Sequence, residues 1–389
     1  MSRLDELIEE LCPDGVEFQT LDHICVFETG EQLNKDKMLE TGLYPVMNGG
    51  ISPSGYWNEY NTEANTITIS QGGASAGYVN YISTRFWAGA HCYVAKLITD
   101  KVIYKFLYYL MKNNEYQLMN SKHGAGIPGL NKRSMYILRM PVPPLPIQQE
   151  IVRILDNFTE LTAELTAEIE ARKKQYEYYR NTLLSFKKVV AGGQLSKLDE
   201  LITELCPCGV EFVTVEEICN ITRGRVLSKN YLRDNFGDYP VYSSQTTNNG
   251  IFGYINTFDY DCESVTWTTD GANAGSVFYH VNEKFSITNV CGLLRVKNNE
   301  LVSTKFLFYV LQVYAKKYVN DGMGNPKLMS NVMAGISVPL PPLPVQQEIV
   351  RILDNFTELT TELEAELEAR QKQYEYYRDK LLSFKEVSS

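Results

Sequence analysis

The stretch that decides the fold occurs twice in the chain. "PLPIQQEIVRILDNFTEL" runs from Pro144 to Leu161, and "PLPVQQEIVRILDNFTEL" runs from Pro342 to Leu359, with one difference between them. Over the longer segments 143–186 and 341–384, 37 of 44 positions are identical. A long repeat of this kind predicts that one structural unit is present twice.

A second repeat lies upstream of each of these copies. "LDELIEELCPDGVEF" begins at Leu4 and "LDELITELCPCGVEF" begins at Leu198. Each is expected to begin with a capped short helix, because Ser2 with Asp5, and Ser196 with Asp199, have near capping-box spacing. The order is repeat, variable region, long repeat, twice over. It predicts four segments, alternately a domain and a long helix: 1–144, 145–188, 189–342 and 343–389.

The long repeat has the pattern of one amphipathic helix. Pro146 suits a first helical position, and Gly192-Gly193 is expected to end the helix, with Lys187 and Lys188 favouring its C-terminal dipole. Apolar residues recur at steps of three and four: Ile151, Ile154, Leu155, Phe158, Leu161, Leu165, Ile169, Tyr176, Tyr179, Leu183 and Phe186. At 1.5 Å per residue such a helix would be roughly 60 Å long.

A single helix with an apolar stripe of this length requires a partner. The chain provides a near copy between Val345 and Lys385. The pattern permits parallel or antiparallel pairing of the two. Antiparallel pairing would bring the same face of each helix together and would give the chain internal pseudo-twofold symmetry.

The variable regions are typical of mixed, strand-rich domains. Short β-favouring runs such as "NTITISQGG", "ESVTWTTDG" and "VCGLLRV" alternate with turn residues. Strands are expected at 16–21 and 210–215, and helices at 102–116 and 303–318. The predicted fold class is α+β: two similar strand-rich α/β domains with two long helices.

Composition limits the function further. The net charge is −10, and segments 1–146 and 198–344 each carry more acidic than basic groups, so neither resembles a stand-alone nucleic-acid binder. No apolar run is long enough for a transmembrane helix, and the acidic N-terminus is unlike a signal peptide. A cytoplasmic protein is expected. The eight cysteines lack CxxC spacing and are expected to be reduced and mostly buried.

These features together resemble the specificity subunit of Type I restriction–modification enzymes. The resemblance covers nearly the whole chain and is carried by "PPLPIQQEIVRILD", "PPLPVQQEIVRILD" and "YPVYSSQTTNNGIFGY". It implies two target-recognition domains, each reading half of a split site in double-stranded DNA. It also implies two conserved helices that pair as an antiparallel coiled coil, set the spacer between the half-sites and dock two methyltransferase subunits.

The same resemblance implies that chemistry belongs to other chains. The methyltransferase subunits would methylate adenine with S-adenosylmethionine, and restriction/translocase subunits, bound through the methyltransferase, would use ATP and Mg. This chain has no GxxxxGK[ST] phosphate loop and no Asn/Asp-Pro-Pro-Tyr/Phe motif of adenine methyltransferases. The GxGxxG match at 124–129 follows a predicted helix where a strand is required. The histidines lack metal-ligand spacing. We therefore expect a non-catalytic subunit with no cofactor and no metal.

Polar and basic residues in the predicted loops are the candidates for DNA contact, because Arg, Asn and Gln can hydrogen-bond base edges. In the first domain they are Asn48, Gln71, Ser75, Lys122, His123, Lys132 and Arg133. In the second domain they are Arg223, Arg225, Ser243, Ser244, Gln245, Thr246, Asn248, Thr269, Asp270, Asn273 and Lys327. Each of them could equally be an ordinary turn residue that satisfies backbone groups.

Repeated polar residues of the long helices are the candidates for binding a protein partner, since two equal surfaces suit two equal partners. They are Gln148, Gln149, Arg153 and Glu177 in the first copy, and Gln346, Gln347, Arg351 and Glu375 in the second. A solvated charged face, or recent duplication, would give the same pattern. The alternative function is a coiled-coil scaffold that displays two protein- or glycan-binding domains.

Overall fold

Each long repeat forms one helix, and short helices lie between them. The computed structural model describes residues 2–121, 129–186 and 196–387. Its helices are, in chain order, α1 (Arg3–Leu11), α2 (Leu21–Ile24), α3 (Tyr104–Asn113), α4 (Glu115–Asn120), α5 (Lys132–Tyr136), α6 (Leu145–Ser185), α7 (Lys197–Leu205), α8 (Val215–Ile218), α9 (Lys229–Asp234), α10 (Thr304–Tyr314), α11 (Ser330–Ala334) and α12 (Leu343–Leu381).

Strands make up most of both variable regions. In the first they are β1 (Glu17–Thr20), β2 (Cys25–Thr29), β3 (Tyr44–Met47), β4 (Tyr56–Trp57), β5 (Thr66–Ser70), β6 (Val79–Ile82), β7 (Trp87–Ala88), β8 (Cys92–Leu97) and β9 (Arg139–Val142). In the second they are β10 (Glu211–Thr214), β11 (Cys219–Arg223), β12 (Tyr239–Tyr242), β13 (Ile251–Ile255), β14 (Tyr260–Asp261), β15 (Ser264–Thr268), β16 (Val277–His280), β17 (Lys284–Ile287), β18 (Cys291–Val296) and β19 (Ser337–Leu340).

The sheets follow one plan in both domains. A four-stranded antiparallel sheet has the order β2-β8-β5-β6 in the first and β11-β18-β15-β16 in the second. A smaller sheet contains the parallel pair β3-β7 or β12-β17. The first and last strands close each domain as the antiparallel pairs β1-β9 and β10-β19. This shared topology confirms the predicted α+β class with two similar domains.

The chain divides into two compact units that cut across the long helices. One unit comprises residues 1–166 and 365–389, and the other comprises residues 167–364. Each unit therefore contains one variable region and half of each long helix. The predicted segments 145–188 and 343–389 begin where α6 and α12 begin. The compact units instead divide the chain inside these two helices.

Each unit has its own large hydrophobic core, in which the four-stranded sheet packs on a helix. In the first unit α3 contributes Phe106 and Leu110, and α6 contributes Ile151 and Leu155. The second unit repeats this arrangement with α10 and with Ile349 and Leu353 of α12. The N-terminal part of the apolar stripe of each long helix therefore packs into the core of its own unit.

Further along, the two long helices pack against each other within each unit. In the second unit Lys173 pairs with Glu364 at 2.6 Å, and Tyr179 stacks on Phe356 with ring centroids 5.3 Å apart. A later residue of α6 thus meets an earlier residue of α12. In the first unit Phe158, near the start of α6, stacks on Tyr377, near the end of α12. Pairing is antiparallel in both units, which settles the alternative that the pattern left open.

Several predicted ends differ in the structure. The helix α6 begins at Leu145, one residue before Pro146, and ends at Ser185, after which Phe186 has a φ of 46°. The predicted stop at 192–193 lies outside the described residues, as do Lys187 and Lys188. The helix predicted at 102–116 breaks at Asn114, whose side-chain Nδ2 donates to Leu110 O at 2.8 Å. The capping boxes at Ser2 and Ser196 are confirmed.

The cysteines of the chain are reduced and mostly buried. None of the eight cysteines forms a disulfide, and six of them are buried. Burial raises the pKa of the Cys25, Cys92, Cys219 and Cys291 thiols to about 12, so they stay protonated at neutral pH. Among the residues that the structure describes, none of the helices has both the length and the apolar character needed to cross a membrane.

Candidate nucleic-acid interface

Four loops of the first domain converge at one end of its main sheet. Gln71, directly after β5, donates its backbone N–H to His91 O at 2.9 Å and accepts from Leu130 N at 2.8 Å. His91 N in turn donates to Asn48 Oδ1 at 3.0 Å, and Gly72 forms a β-bridge with Gly129. Loops that are far apart in sequence therefore share one junction, and it contains Asn48 and Gln71.

The second domain builds the same junction from different side chains. Thr269 N donates to Val290 O at 3.1 Å, and Leu328 N donates to Thr269 O at 2.9 Å. Asp270 forms a β-bridge with Lys327, where the first domain pairs Gly72 with Gly129. The backbone plan is common, but at the bridged positions the second domain has Asp270 and Lys327 where the first has Gly72 and Gly129.

In each domain a buried aromatic side chain forms a hydrogen bond to the last loop of the junction. Tyr93 OH donates to Leu130 O at 3.1 Å in the first domain, and Trp267 Nε1 donates to Leu328 O at 3.0 Å in the second. Gly30, directly after β2, and Gly224, directly after β11, permit the close approach of these strand ends to β7 and β17. A Cβ added at Gly30 would lie 2.3 Å from Ala88 O, and one added at Gly224 would lie 2.1 Å from Ile287 O. These contacts of the buried aromatic groups and glycines therefore set the positions of the loops.

Arg223 acts as a clamp in the junction of the second domain. Its Nη2 donates to Thr269 Oγ1 at 3.1 Å and to Asn289 O at 2.6 Å. Asp270 lies 3.8 Å from Arg223 and also 3.8 Å from Lys327. The structure thus brings together four of the predicted contact residues. Since both of these hydrogen bonds use Nη2, bidentate contact of Arg223 with a base through Nη2 would require the clamp to open.

Several predicted contact residues are turned inward. Thr269 is fully buried, and its hydroxyl donates to Asp270 Oδ2 at 2.6 Å. Ser243 is also buried and accepts from Thr288 Oγ1 at 2.8 Å. The assignment of these two side chains to direct base contact is corrected: they position their neighbours. Gln245 donates Nε2 to Ile251 O, and Arg225 pairs with Asp259 at 3.0 Å, so both are partly committed within the chain.

Other predicted contacts are accessible. Thr246, Asn248 and Asn273 are exposed, while Ser244 and Ser75 are partly exposed. Asn248 and the neighbouring Asn249 both have φ of 50°, a left-handed conformation that asparagine tolerates better than most residues. This tight turn sets the backbone course of the loop after β12.

Two basic candidates of the first domain, Lys132 and Arg133, lie in α5. Lys132 lies over the Tyr93 ring at 5.5 Å, and Arg133 is exposed. Lys122 and His123 lie outside the described residues, as does most of the glycine-rich loop at 124–129. Their predicted contact with DNA stays a prediction.

A buried polar network near the second junction was not found from the sequence. His280 is buried, with Nδ1 2.6 Å from Glu283 Oε1 and Nε2 2.7 Å from Thr266 Oγ1. Tyr242 OH donates to the same Glu283 carboxylate. Hydrogen bonding from His280 lowers the pKa of Glu283, and burial raises the pKa of Tyr242. The network fixes the end of β12, where the polar loop begins, and only the spacing of His280 and Glu283 could have suggested it.

Two of the repeated helix residues are structural. Gln148 and Gln346 are completely buried. Gln148 donates to Lys101 O and Pro143 O and accepts from Ile103 N, all within 2.8 Å. Gln346 makes the same three bonds with Leu301, Pro341 and Ser303. Their assignment as partner-contacting residues is corrected, because these amides tie the start of each long helix to its own domain.

The remaining helix candidates are exposed. Gln149, Gln347, Glu177 and Glu375 face solvent. Arg153 pairs with Glu150, and Arg351 pairs with Glu348, each at 2.6 Å. Glu348 also accepts from Lys197, and its pKa falls to about 2, chiefly through the hydrogen bond from Arg351. The two arginines are thus held in matching orientations on the two helices.

Comparison with known proteins agrees with this architecture. The model of the Type I restriction modification DNA specificity domain matches residues 13–172 and again 207–371. A Mycoplasma pneumoniae protein named as a putative type I specificity subunit (S.MpnORF365P) is 41% identical over 264 residues, which is 66% of this chain and 91% of that protein. The Type I restriction enzyme MpnII specificity subunit of the same organism is 36% identical over 320 residues, covering 66% of this chain and 92% of its own length.

A solved structure has the same fold. The type I restriction–modification S subunit from M. genitalium superposes with a TM-score of 0.69 at 22% identity and covers 95% of this chain and 96% of its own. The doubled match of the family model falls on the two domains whose loop junctions are described above. This chain therefore belongs to the family of Type I restriction–modification specificity subunits.

Proposed function

We propose that this chain is the non-catalytic subunit that reads DNA sequence in a Type I restriction–modification complex. Each domain would read one half of a split site in double-stranded DNA. The observation that carries the proposal is the pair of loop junctions, which share one backbone plan but present different side chains. Two readers built on one scaffold suit a site whose halves differ in sequence.

Polar groups at the junctions have the chemistry that base reading requires. Asn48, Gln71 and Asn248 carry amide side chains, which suit the edge of adenine, although Asn48 Oδ1 already accepts from His91 N. Lys327 and Arg133 suit guanine or phosphate. The acidic balance of the chain predicts weak binding of DNA by the subunit alone, because phosphate affinity depends on positive charge. Most of that affinity would come from the partner subunits.

The long helices would serve the rest of the complex. Two near-identical helices with matching exposed residues suit two methyltransferase subunits, which would use S-adenosylmethionine, while restriction/translocase subunits that use ATP and Mg would join through them. The helices would also set the spacer between the half-sites. A scaffold for two protein- or glycan-binding domains is the alternative, and the family membership favours the DNA function.

The direct test is to express the chain with its methyltransferase and map methylated adenines across a genome. The proposal predicts one split motif, with modified adenine in each half and a fixed spacer. Methylation that does not depend on this chain, or a continuous motif, would contradict it. The proposal that the chain is non-catalytic can be tested in parallel. The chain alone, incubated with S-adenosylmethionine and DNA, is expected to transfer no methyl groups.

The spacer can be tested at the boundary between the compact units. Four residues inserted after Leu165, with four more after the equivalent Leu363, fall one residue from the unit boundaries, so most contacts inside each unit remain while the pair of Lys173 with Glu364 is lost. They lengthen each helix by about 6 Å and rotate its stripe by only about 40°. DNA advances about 3.4 Å per base step, so we expect a spacer longer by one or two base pairs with unchanged half-sites. An active complex with the parental spacer would show that the helices do not act as a ruler.

A further inference from the structure

The junction of the second domain presents a carboxylate and an ammonium group side by side. Asp270 forms a β-bridge with Lys327, so the two side chains leave neighbouring backbone positions. The Lys327 Nζ lies 3.8 Å from Asp270 Oδ1, which is close enough for an ion pair but too far for a hydrogen bond. The Lys327 side chain is half exposed and that of Asp270 is partly exposed. A donor and an acceptor therefore lie next to each other at the surface, and both can still form hydrogen bonds to a ligand.

Backbone hydrogen bonds hold this pair from both sides. Lys327 N donates to Asn320 O at 3.0 Å, and Lys327 O accepts from Asn320 N at 2.9 Å. Next to the bridge, Gly271 N donates to Pro326 O at 3.0 Å. Because the backbone is already ordered, a ligand that binds the two side chains would cost little further backbone entropy.

The second oxygen of Asp270 fixes the direction of the first. Asp270 Oδ2 accepts from Thr269 Oγ1 at 2.6 Å and lies 3.8 Å from Arg223 Nη2. Among the residues that the structure describes, none donates a hydrogen bond to Asp270 Oδ1. The two cations exceed the charge of the one carboxylate, so the group of three does not repel the phosphates of DNA. Asp270 Oδ1 is therefore an oriented acceptor beside the Lys327 donor.

This order of donor and acceptor matches one kind of base pair in the major groove. Guanine presents two acceptors, N7 and O6, and its cytosine partner presents the N4 donor beside O6. Lys327 would donate to the guanine acceptors while Asp270 Oδ1 accepts from cytosine N4. In an A·T pair the N6 donor of adenine lies between the acceptors N7 and O4, so a lysine beside an aspartate would reach only one acceptor.

We propose that Asp270 and Lys327 together read one G·C base pair in the half-site of the second domain. The inference rests on the proposed function and adds the base pair and the two residues that select it. The first domain has Gly72 and Gly129 at the bridged positions, and glycine has no side chain to contact a base. The first half-site therefore has no base pair that is read in this way.

The test measures DNA binding by the chain assembled with its methyltransferase, on duplexes that carry the split site mapped by adenine methylation. Each base pair of the second half-site is changed singly. Asp270→Asn removes the charge of the acceptor at constant shape, and Lys327→Met removes the donors but keeps an unbranched side chain. Each variant should lower discrimination roughly tenfold at one G·C pair, the same pair for both variants. Discrimination at the first half-site should not change.

Asp261 and Lys284 provide the matched control. Their charged atoms lie 3.9 Å apart, almost the same separation, but the two residues belong to β14 and β17 and not to the junction. Asp261→Asn and Lys284→Met should leave discrimination at every position as in the wild type. Thermal unfolding of all four variants should match that of the wild type, because none of these side chains is part of a hydrophobic core.

The inference would be overturned by relaxation at two different base pairs, at an A·T pair, or over the whole half-site. An equal loss of affinity on all sequences, with a weaker salt dependence, would also overturn it, since a phosphate contact of Lys327 gives that result. Unchanged discrimination in both variants, or a second half-site without a G·C pair, would count against it equally. A wild-type complex with no preference for a split site would instead contradict the proposed function.

Discussion

The two loop junctions share a backbone and differ in charge. Arg223, Asp270 and Lys327 form a charged clamp in the second domain. The first domain has Thr29, Gly72 and Gly129 at the corresponding positions. Underneath, each domain has a buried aromatic group bonded to the last loop and a glycine against the parallel strand pair. Buried groups that both domains share therefore set the position of the loops, whereas the side chains that the loops carry differ between the domains.

The largest loss of stability is expected at the buried glutamine that each domain has at the start of its long helix, and the loss should be equal in both units. Gln148→Ala and Gln346→Ala each remove one amide and leave three backbone groups near the helix start without their partner. We expect each to lower the free energy of unfolding by about 3 kcal/mol. Unfolding in denaturant measures the free energy of unfolding of each variant against that of the wild type. The exposed neighbours Gln149 and Gln347 are the matched controls, and a loss as large in Gln347→Ala would contradict the structural role.

A smaller, again symmetric, loss is expected at the two glycines. Gly30→Ala and Gly224→Ala each place a methyl group within 2.3 Å of a backbone carbonyl. The strand ends must move apart, which costs about 2 kcal/mol and displaces the neighbouring loops. Gly335→Ala is the control, since its nearest neighbour would lie at 3.8 Å. Thermal unfolding that leaves Gly224→Ala indistinguishable from Gly335→Ala would show that the close approach is not required.

An asymmetric effect is expected from the clamp. Arg223→Ala removes the bonds to Thr269 and Asn289, so the loop with Asp270 loses its fixed position. Discrimination at the second half-site should fall by roughly tenfold, about 1.4 kcal/mol, while the first half-site is unaffected. Thr29→Ala, the equivalent change in the first domain, should alter discrimination at neither half-site. Binding of the assembled complex to DNA with single-base changes measures this, and equal relaxation of both halves would contradict the separation.

The smallest effect concerns pH. The pKa of Glu348 is lowered to about 2, so its contribution is complete above the unfolded value near 4.5 and is lost as pH falls toward 2. Because Arg351 and Lys197 are both more than half exposed, we expect only about 1 kcal/mol from this group. The difference in stability between the wild type and Glu348→Gln should shrink between pH 5 and pH 2.5. A difference that stays constant over that range would rule out this contribution.

Sequence patterns predicted the fold in most of its elements. The steps of three and four gave α6 and α12, and the serine–aspartate spacing gave the capped α1 and α7. The break at Asn114 was missed; the side chain there donates back to Leu110 O, a contact that the residue pattern does not show. Antiparallel pairing was left open by the pattern, since it depends on which residues meet, as Tyr179 and Phe356 do.

The site was predicted less well, because residue type does not reveal which way a side chain points. Thr269 and Ser243 have the chemistry of base contacts but are buried, and Gln148 and Gln346 look like surface residues of a polar helix start. Each of them also has a partner that is distant in sequence: Arg223 for Thr269, Thr288 for Ser243, Ile103 for Gln148 and Ser303 for Gln346. Such pairs become visible only once the chain is folded.

Exchange of one domain tests the independence of the two readers most directly. Residues 22–142 are replaced by the matching region of another family member, and methylated adenines are mapped with the wild-type methyltransferase. We predict a motif in which one half changes, while the other half and the spacer stay as in the parent. A motif that changes in both halves, or one that does not change at all, would contradict the conclusion that each domain reads its own half-site.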